Sequence, residues 1–352
     1  MKVAIVNDMP LAVEALQRAL AQDPTLRVCW VARSGEEAIS RCAFERPDVL
    51  LMDLIMPGID GAETTRRIMA ASPCAIVIVT GDVQRQTNRI FEAMGHGALD
   101  VTATPILGGK DAAHGAEALL RKIRNVGWLI GRPAAVREAP RPVAAPPTRP
   151  CPLLAIGASA GGPAALATLL SALPADFPAA IVLVQHVDAA FAAGMADWLK
   201  TQVGLPVRLA RHGERPSTGT VLLAGTDDHL RVTPDHTLEY CAEPRAALYR
   251  PSIDVFFDSV ARYWRAPAAG LLLTGMGRDG AEGLNAMRKH GFLTIAQDQA
   301  TSAVYGMPKA AAVLGAADRI MPLGAIAPFL TTHFSHDAPR QPQGIRDERG
   351  IR

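Results

Sequence analysis

Leu153-Leu154-Ala155-Ile156-Gly157-Ala158-Ser159-Ala160-Gly161-Gly162-Pro163 is a short apolar run that ends in small residues, and a helical pattern begins at Pro163. It reads as a strand, a tight turn and a helix start, with a hydroxyl at the turn. Glycine lets the backbone bend sharply there. The helix N-terminus offers N–H groups and a positive dipole end to developing negative charge. Ser159 is therefore placed like a nucleophile. Two later stretches supply partners. Ala180-Ile181-Val182-Leu183-Val184-Gln185-His186 is an apolar strand with a histidine at its carboxyl end. Gly270-Leu271-Leu272-Leu273-Thr274-Gly275-Met276-Gly277-Arg278-Asp279-Gly280 is another strand, running into a glycine loop that carries an aspartate. In an open parallel sheet the carboxyl ends of the strands line one crevice. Ser159, His186 and Asp279 then converge: the serine attacks, the histidine takes its proton, and the aspartate orients the imidazole.

Each residue alone has a plainer reading. A serine in a glycine turn is more often a helix cap, and an aspartate in a glycine loop is more often a turn residue. Three such residues, each at a strand's carboxyl end in one domain, are much less often accidental. The turn lacks Gly-x-Ser-x-Gly, so it is not an ordinary α/β-hydrolase elbow. The spacing of Gly157, Gly161 and Gly162 misses G-x-G-x-x-G, which ranks dinucleotide binding low.

The 352 residues suit two domains. A hydrophobic content of 49% is ample for buried cores. The formal charge of +2 comes from 36 basic and 34 acidic side chains, which argues against a dedicated nucleic-acid surface. No signal-peptide layout opens the chain and no apolar stretch is long enough to span a bilayer, so a cytoplasmic protein without membrane insertion is expected. The five cysteines (Cys29, Cys42, Cys74, Cys151, Cys241) are scattered, without metal-ligand spacing, and read as buried free thiols.

Residues 1–125 alternate apolar strands (Val3–Val6, Val28–Val31, Val49–Met52, Ala75–Val79, Ala98–Val101) with amphipathic helices, which predicts a parallel sheet covered on both faces. Residues 126–150 form a linker, rich in Pro, Ala and Arg from 132 onward. A second α/β unit occupies 151–334, and 335–352 is a polar, disordered tail. In the first unit, Asp53 ends the third strand and Asn7-Asp8 end the first. With strand order 2-1-3-4-5 these ends lie side by side. Two carboxylates in one crevice suit Mg²⁺, and a metal-bound aspartate can accept a phosphoryl group. Thr80, closing the fourth strand, offers a hydroxyl to a phosphoryl oxygen. Taken singly, Asp8 and Asp53 are more often turn residues.

On these residues, 1–125 resembles a flavodoxin-like two-component receiver domain. The resemblance implies that Asp53 is the phospho-acceptor, that Asp8, Asp53 and Asn7 hold Mg²⁺, and that Thr80 is the switch hydroxyl. Two departures stand out. Asn7-Asp8 replaces the usual acidic pair, and Thr104 stands before Pro105 where most receivers carry a lysine.

Residues 152–330 resemble the catalytic domain of the CheB family of chemotaxis protein-glutamate methylesterases. The resemblance rests on Ile156–Pro163, Val184-Gln185-His186, Ala224-Gly225, Arg250–Phe257, Leu273–Gly280, Gln297-Asp298 and Tyr305-Gly306-Met307-Pro308. Val6–Ala12, Thr104 and Ala160 look most like the WspF branch of surface-sensing pathways. Ala160 stands where many members have threonine. The resemblance implies a doubly wound, mostly parallel α/β domain that hydrolyses glutamate γ-methyl esters on the cytoplasmic helices of methyl-accepting chemoreceptors. It also implies possible glutamine deamidation and a CheA-type histidine kinase as phosphodonor. The backbone N–H groups near Ala160 and Met276 become oxyanion-hole candidates, and the esterase step needs no cofactor. The Met9–Leu11 edge and the loop 106–109 are expected in an inhibitory interdomain contact. Two rivals are a DNA-binding response regulator, opposed by the charge, and a catalytically idle adaptor that binds receptor or kinase.

Overall fold

The computed structural model describes residues 1–81, 86–105, 112–128, 151–245 and 247–336. Helices Ala112–Trp128 and Leu323–His336 run three and two residues into the expected linker (126–150) and tail (335–352), and the rest of both, with the loop 106–109, lies outside the described residues.

The first unit has strands β1 (Lys2–Val6), β2 (Arg27–Ala32), β3 (Val49–Met52), β4 (Ala75–Thr80) and β5 (Asp100–Ala103). They alternate with helices α1 (Pro10–Leu20), α2 (Gly35–Phe44), α3 (Gly61–Ala71), α4 (Thr87–Gly95) and α5 (Ala112–Trp128). The sheet is parallel in the order β2-β1-β3-β4-β5, as the alternation predicts. All four residues of β3 are buried, which suits a strand covered on both faces. Side chains fix the helix starts. Ser34 accepts the Glu37 N–H while Glu37 accepts the Arg33 N–H, and Asp60 accepts the Glu63 N–H. The last strand begins two residues later than expected. The Ala98 N–H is spent on the Ala93 carbonyl at the end of α4, and ladder pairing starts at Asp100 opposite Val77.

The second unit carries β6 (Leu153–Ala158), α6 (Gly162–Ser171), β7 (Ala180–Gln185), α7 (Ala189–Gln202), β8 (Val207–Leu209), β9 (Val221–Leu223), β10 (His229–Val232) and β11 (Leu238–Cys241). After these come α8 (Ile253–Tyr263), β12 (Ala268–Leu272), α9 (Ala281–Lys289), β13 (Leu293–Gln297), α10 (Met307–Leu314), β14 (Arg319–Met321) and α11 (Leu323–His336). A parallel seven-stranded sheet runs β14-β13-β12-β6-β7-β9-β8, and β10 and β11 form a separate antiparallel pair. Thus β12, β6 and β7, the three strands singled out in the sequence, are neighbours at its centre. Every residue of β6 and β7 is buried.

The two units pack through α4 and α5 of the first. Phe91 on α4 stacks on Trp198 of α7, with ring centroids 5.7 Å apart. Lys122 on α5 is buried and bonds Asp100 at 2.9 Å, the Val101 carbonyl at 2.7 Å, and Asp188, just before α7, at 3.2 Å. One apolar cluster runs from Val3, Ile5, Ala116, Leu119 and Ile123 into Ala160, Met276 and Val304. The expected Met9–Leu11 edge is not in this contact: Met9 is 57% exposed and Leu11 67%. All five cysteines are free thiols, as expected, though Cys29, Cys151 and Cys241 are only half-buried.

Candidate active site

The turn after β6 is built as read. Gly161 has φ of 75°, the left-handed region that favours glycine, and caps α6, with Pro163 in its first turn. The Ser159 N–H donates to the Thr274 carbonyl at 3.0 Å, and its own carbonyl accepts from Gly162 and from Gln185 Nε2. On the next strand the His186 N–H donates to the Ala158 carbonyl at 3.0 Å, so serine and histidine occupy adjoining strand ends. Asp279 reaches His186 from the loop after β12, with Nε2···Oδ2 at 2.8 Å. Among the described residues His186 Nδ1 has no hydrogen-bond partner and is buried. The structure pairs His186 with Asp279 and sets Ser159 at the adjoining strand end, with no hydrogen bond between the serine hydroxyl and the imidazole. Ser159 is 8% exposed and Asp279 7%, so the site is covered in this arrangement.

Asp279 is held more tightly than its loop position suggests. Its carboxylate also accepts the Ser252 hydroxyl at 2.8 Å, the Ile253 N–H at 2.6 Å and the Asp254 N–H at 3.2 Å. These donors come from the N-cap Ser252 and the first turn of α8, which aims its free N–H groups at the charge. Burial alone would push this carboxyl up. His186 and the α8 donors outweigh burial and hold it below the usual carboxylate range. Asp254 pays the opposite consequence of the same crowding: burial, then the Asp279 charge beside it, push its carboxyl up to about 8. The Gly283 N–H donates to Asp254 at 2.7 Å. Farther out, Thr274 Oγ1 donates to the Ala160 carbonyl at 3.0 Å, and Gln297 Oε1 accepts the Thr274 N–H at 2.8 Å.

Ser252, Asp254, Thr274 and Gln297 lie in the motifs that carry the resemblance but have no role there, and Tyr249 lies outside those motifs. The Tyr249 ring lies parallel to His186, with centroids 4.4 Å apart and planes 8° apart. Ala160 follows Ser159, and Met276 follows Gly275, where an added Cβ would lie 2.8 Å from Ser159 Cβ; both oxyanion-hole candidates are buried in the apolar cluster shared with the first unit. Neither backbone N–H has a hydrogen-bond partner among the described residues.

In the first unit Asp8 and Asp53 sit at the adjoining ends of β1 and β3. Burial, with the Asp8 charge adding to it, raises Asp53 to about 6, against the Leu54 N–H that bonds it at 2.7 Å. Two poorly compensated carboxylates of this kind suit a hard divalent cation. Asn7 is buried, and its Oδ1 accepts the Met9 N–H at 2.9 Å, which engages the oxygen the sequence offered as a third ligand. Thr80 is fully buried at the end of β4, and its hydroxyl has no partner among the described residues.

The fold and site define a class: a receiver-type α/β unit packed on a second α/β domain whose central strand ends gather serine, histidine and aspartate. Residues 154–330 match the family described as CheB methylesterase, and residues 3–107 match the response regulator receiver domain. The chain belongs to the CheB methylesterase family. A Pseudomonas syringae pv. syringae protein named protein-glutamate methylesterase/protein-glutamine glutaminase 2 is 63% identical over 335 residues, covering 95% of this chain and all of that one. A Cupriavidus metallidurans protein of the same name is 63% identical over 332 residues, covering 94% and 97%. The catalytic domain of Thermotoga maritima CheB methylesterase matches with a TM-score of 0.50 at 33% identity, covering 51% of this chain and 97% of that one. No helix among the described residues is long and apolar enough to cross a membrane.

Proposed function

We propose that this chain hydrolyses glutamate γ-methyl esters on methyl-accepting chemoreceptors, under control of phosphorylation at Asp53. The observation that carries the reading is the 2.8 Å pair of His186 Nε2 and Asp279, with Ser159 on the adjoining strand end. With Nε2 bound to the carboxylate, Nδ1 is the nitrogen left for the nucleophile. The Ser159 hydroxyl attacks the ester carbonyl as Nδ1 takes its proton. The imidazolium then returns that proton to the departing methoxide, which leaves as methanol. Water attacks the acyl-enzyme by the same route, its proton passing to Nδ1 and on to Ser159 Oγ, and glutamate is freed. The N–H groups of Ala160 and Met276 receive the negative charge on the carbonyl oxygen. Each such donor typically contributes about 3 kcal/mol to the transition state. A receptor glutamine would react identically with ammonia as leaving group, in keeping with the double name its relatives carry.

Asp8 and Asp53 would hold Mg²⁺, which neutralises phosphoryl charge when bound, while the Asn7 oxygen stays with the Met9 N–H. Asp53 then accepts a phosphoryl group from a CheA-type histidine kinase. The unpartnered Thr80 hydroxyl would close on a phosphoryl oxygen. Ala116, Leu119 and Ile123 of the receiver share an apolar cluster with Ala160 and Met276, and a receptor helix would have to break into it. Phosphorylation weakens that contact and opens the site.

Methanol release from methylated receptor membranes tests the reading, with and without phosphodonor and Mg²⁺. Release that depends on Ser159 and rises with phosphodonor is expected. No release from folded protein across several receptors would favour the adaptor instead.

A further inference from the structure

His186 is tethered at one atom. Its Nε2 bond to Asp279 sets where the ring points, but one hydrogen bond leaves the ring free to turn about that axis. Among the described residues Nδ1 bonds nothing that would stop it. The nitrogen that must meet the Ser159 hydroxyl is therefore the one left unfixed by polar contacts.

Tyr249 supplies the missing restraint. Its ring lies flat against the imidazole, 4.4 Å between centroids and 8° between planes, so rotation about the Nε2 axis would drive one ring into the other. The far end of the phenol lies close over Gly277. A Cβ added to Gly277 would lie 2.7 Å from the Tyr249 hydroxyl, and Gly277 has φ of 79°. The phenol thus spans from His186 to the loop that carries Met276 and Asp279. Three residues later the same segment provides the Ser252, Ile253 and Asp254 donors that fix Asp279.

We propose that Tyr249 is a positioning residue for His186: its stacked ring holds the imidazole plane for proton transfer from Ser159 and favours the imidazolium that this transfer creates. An aromatic face attracts a cation more than a neutral ring, so the stack strengthens as the reaction proceeds. This inference rests on the serine-nucleophile reading above.

The test is labelling of Ser159 in the full chain by a fluorophosphonate, with phosphodonor and Mg²⁺ present. The probe needs an activated serine but no recognition of a receptor helix. Wild type, Tyr249→Phe and Tyr249→Leu are compared, with thermal melts to establish folding. Tyr249→Phe keeps the stack and should retain most of the rate. Tyr249→Leu should label about 10- to 30-fold more slowly, and methanol release should fall in kcat by a like factor with KM little changed. Equal labelling of Tyr249→Leu and wild type would overturn the inference. So would a methanol-release defect confined to KM, which would make Tyr249 a receptor contact. Wild type that labels nowhere, or away from Ser159, would overturn the nucleophile reading itself.

Discussion

Asp188→Asn should raise methylesterase activity in the unphosphorylated chain by about fivefold. Lys122 is a receiver residue whose ammonium is buried, and it reaches Asp188 of the second domain at 3.2 Å. Its bonds to Asp100 at 2.9 Å and to the Val101 carbonyl at 2.7 Å lie within the receiver and survive the substitution. Burial alone would lower this lysine; the two aspartates outweigh burial and keep it charged. The Asp188 side chain is 47% exposed, so solvent screens its half of the pair. The interaction is worth about 1 kcal/mol, not the several of a fully buried pair, which is about fivefold in the balance of closed and open forms. Asp188 makes no side-chain cap to α7, so asparagine costs that helix little. The assay is methanol release from methylated membranes without phosphodonor, then with it. Basal release should rise and the phosphorylated rate should hold. An unchanged basal rate would refute the latch. A fall in both rates would show that Asp188 serves the neighbouring His186 rather than the interface.

Three further outcomes are expected. Ser159→Ala should lower methanol release by at least ~10³-fold with an unchanged melting profile, since the hydroxyl is the proposed nucleophile. Thr80→Val should leave the unphosphorylated receiver as stable or slightly more so, because it removes a buried hydroxyl without a partner, yet it should blunt activation by phosphodonor. Asp254→Asn should change how stability varies with pH. With its carboxyl raised to about 8, the folded chain keeps a proton that the unfolded chain loses near pH 4. That contribution is fully present below pH 4 and is lost as pH rises through 8. Thermal melts between pH 5 and 8 should therefore decline less steeply for the asparagine variant, and parallel curves would count against a protonated Asp254.

Much of this was legible because apolar periodicity and glycine turns are local. The two sheets, the strand-end placement of Ser159, His186 and Asp279, and the facing of Asp8 and Asp53 all follow from where each strand stops. What was not legible depends on pairing across distance. The donors on Asp279 come from residues 252–254, and two of them are backbone N–H groups, which no residue type encodes. Tyr249 sits in an aperiodic stretch, so its stacking on a histidine 63 residues earlier leaves no local trace. The Met9–Leu11 part of the expected interface was misplaced for the same reason. Met9 and Leu11 are apolar and exposed, but exposure does not say which edge is covered, whereas Lys122 looks like any surface lysine until α5 meets Asp188. Asn7 was offered as a metal ligand on the receiver resemblance, and only the fold reveals that its oxygen is engaged by the Met9 N–H.

The end of β7 joins these functions in four consecutive residues. Gln185 Nε2 holds the Ser159 carbonyl at 2.8 Å, His186 takes Asp279, and Asp188 takes Lys122 of the receiver. The chain between proposed base and proposed latch is Val187 alone. A receiver that lets go of Asp188 therefore loosens the segment that carries His186, in addition to uncovering Ala160 and Met276. The two effects oppose each other: uncovering admits the receptor helix, while loosening the base's loop would slow proton transfer. Activation requires that the base keep its place without the receiver. Asp279, fixed by three donors at the start of α8 and its N-cap besides His186, and Tyr249, flat against the imidazole, provide that hold from the catalytic domain's own side. Anchoring the base wholly within one domain is what allows the other to come and go.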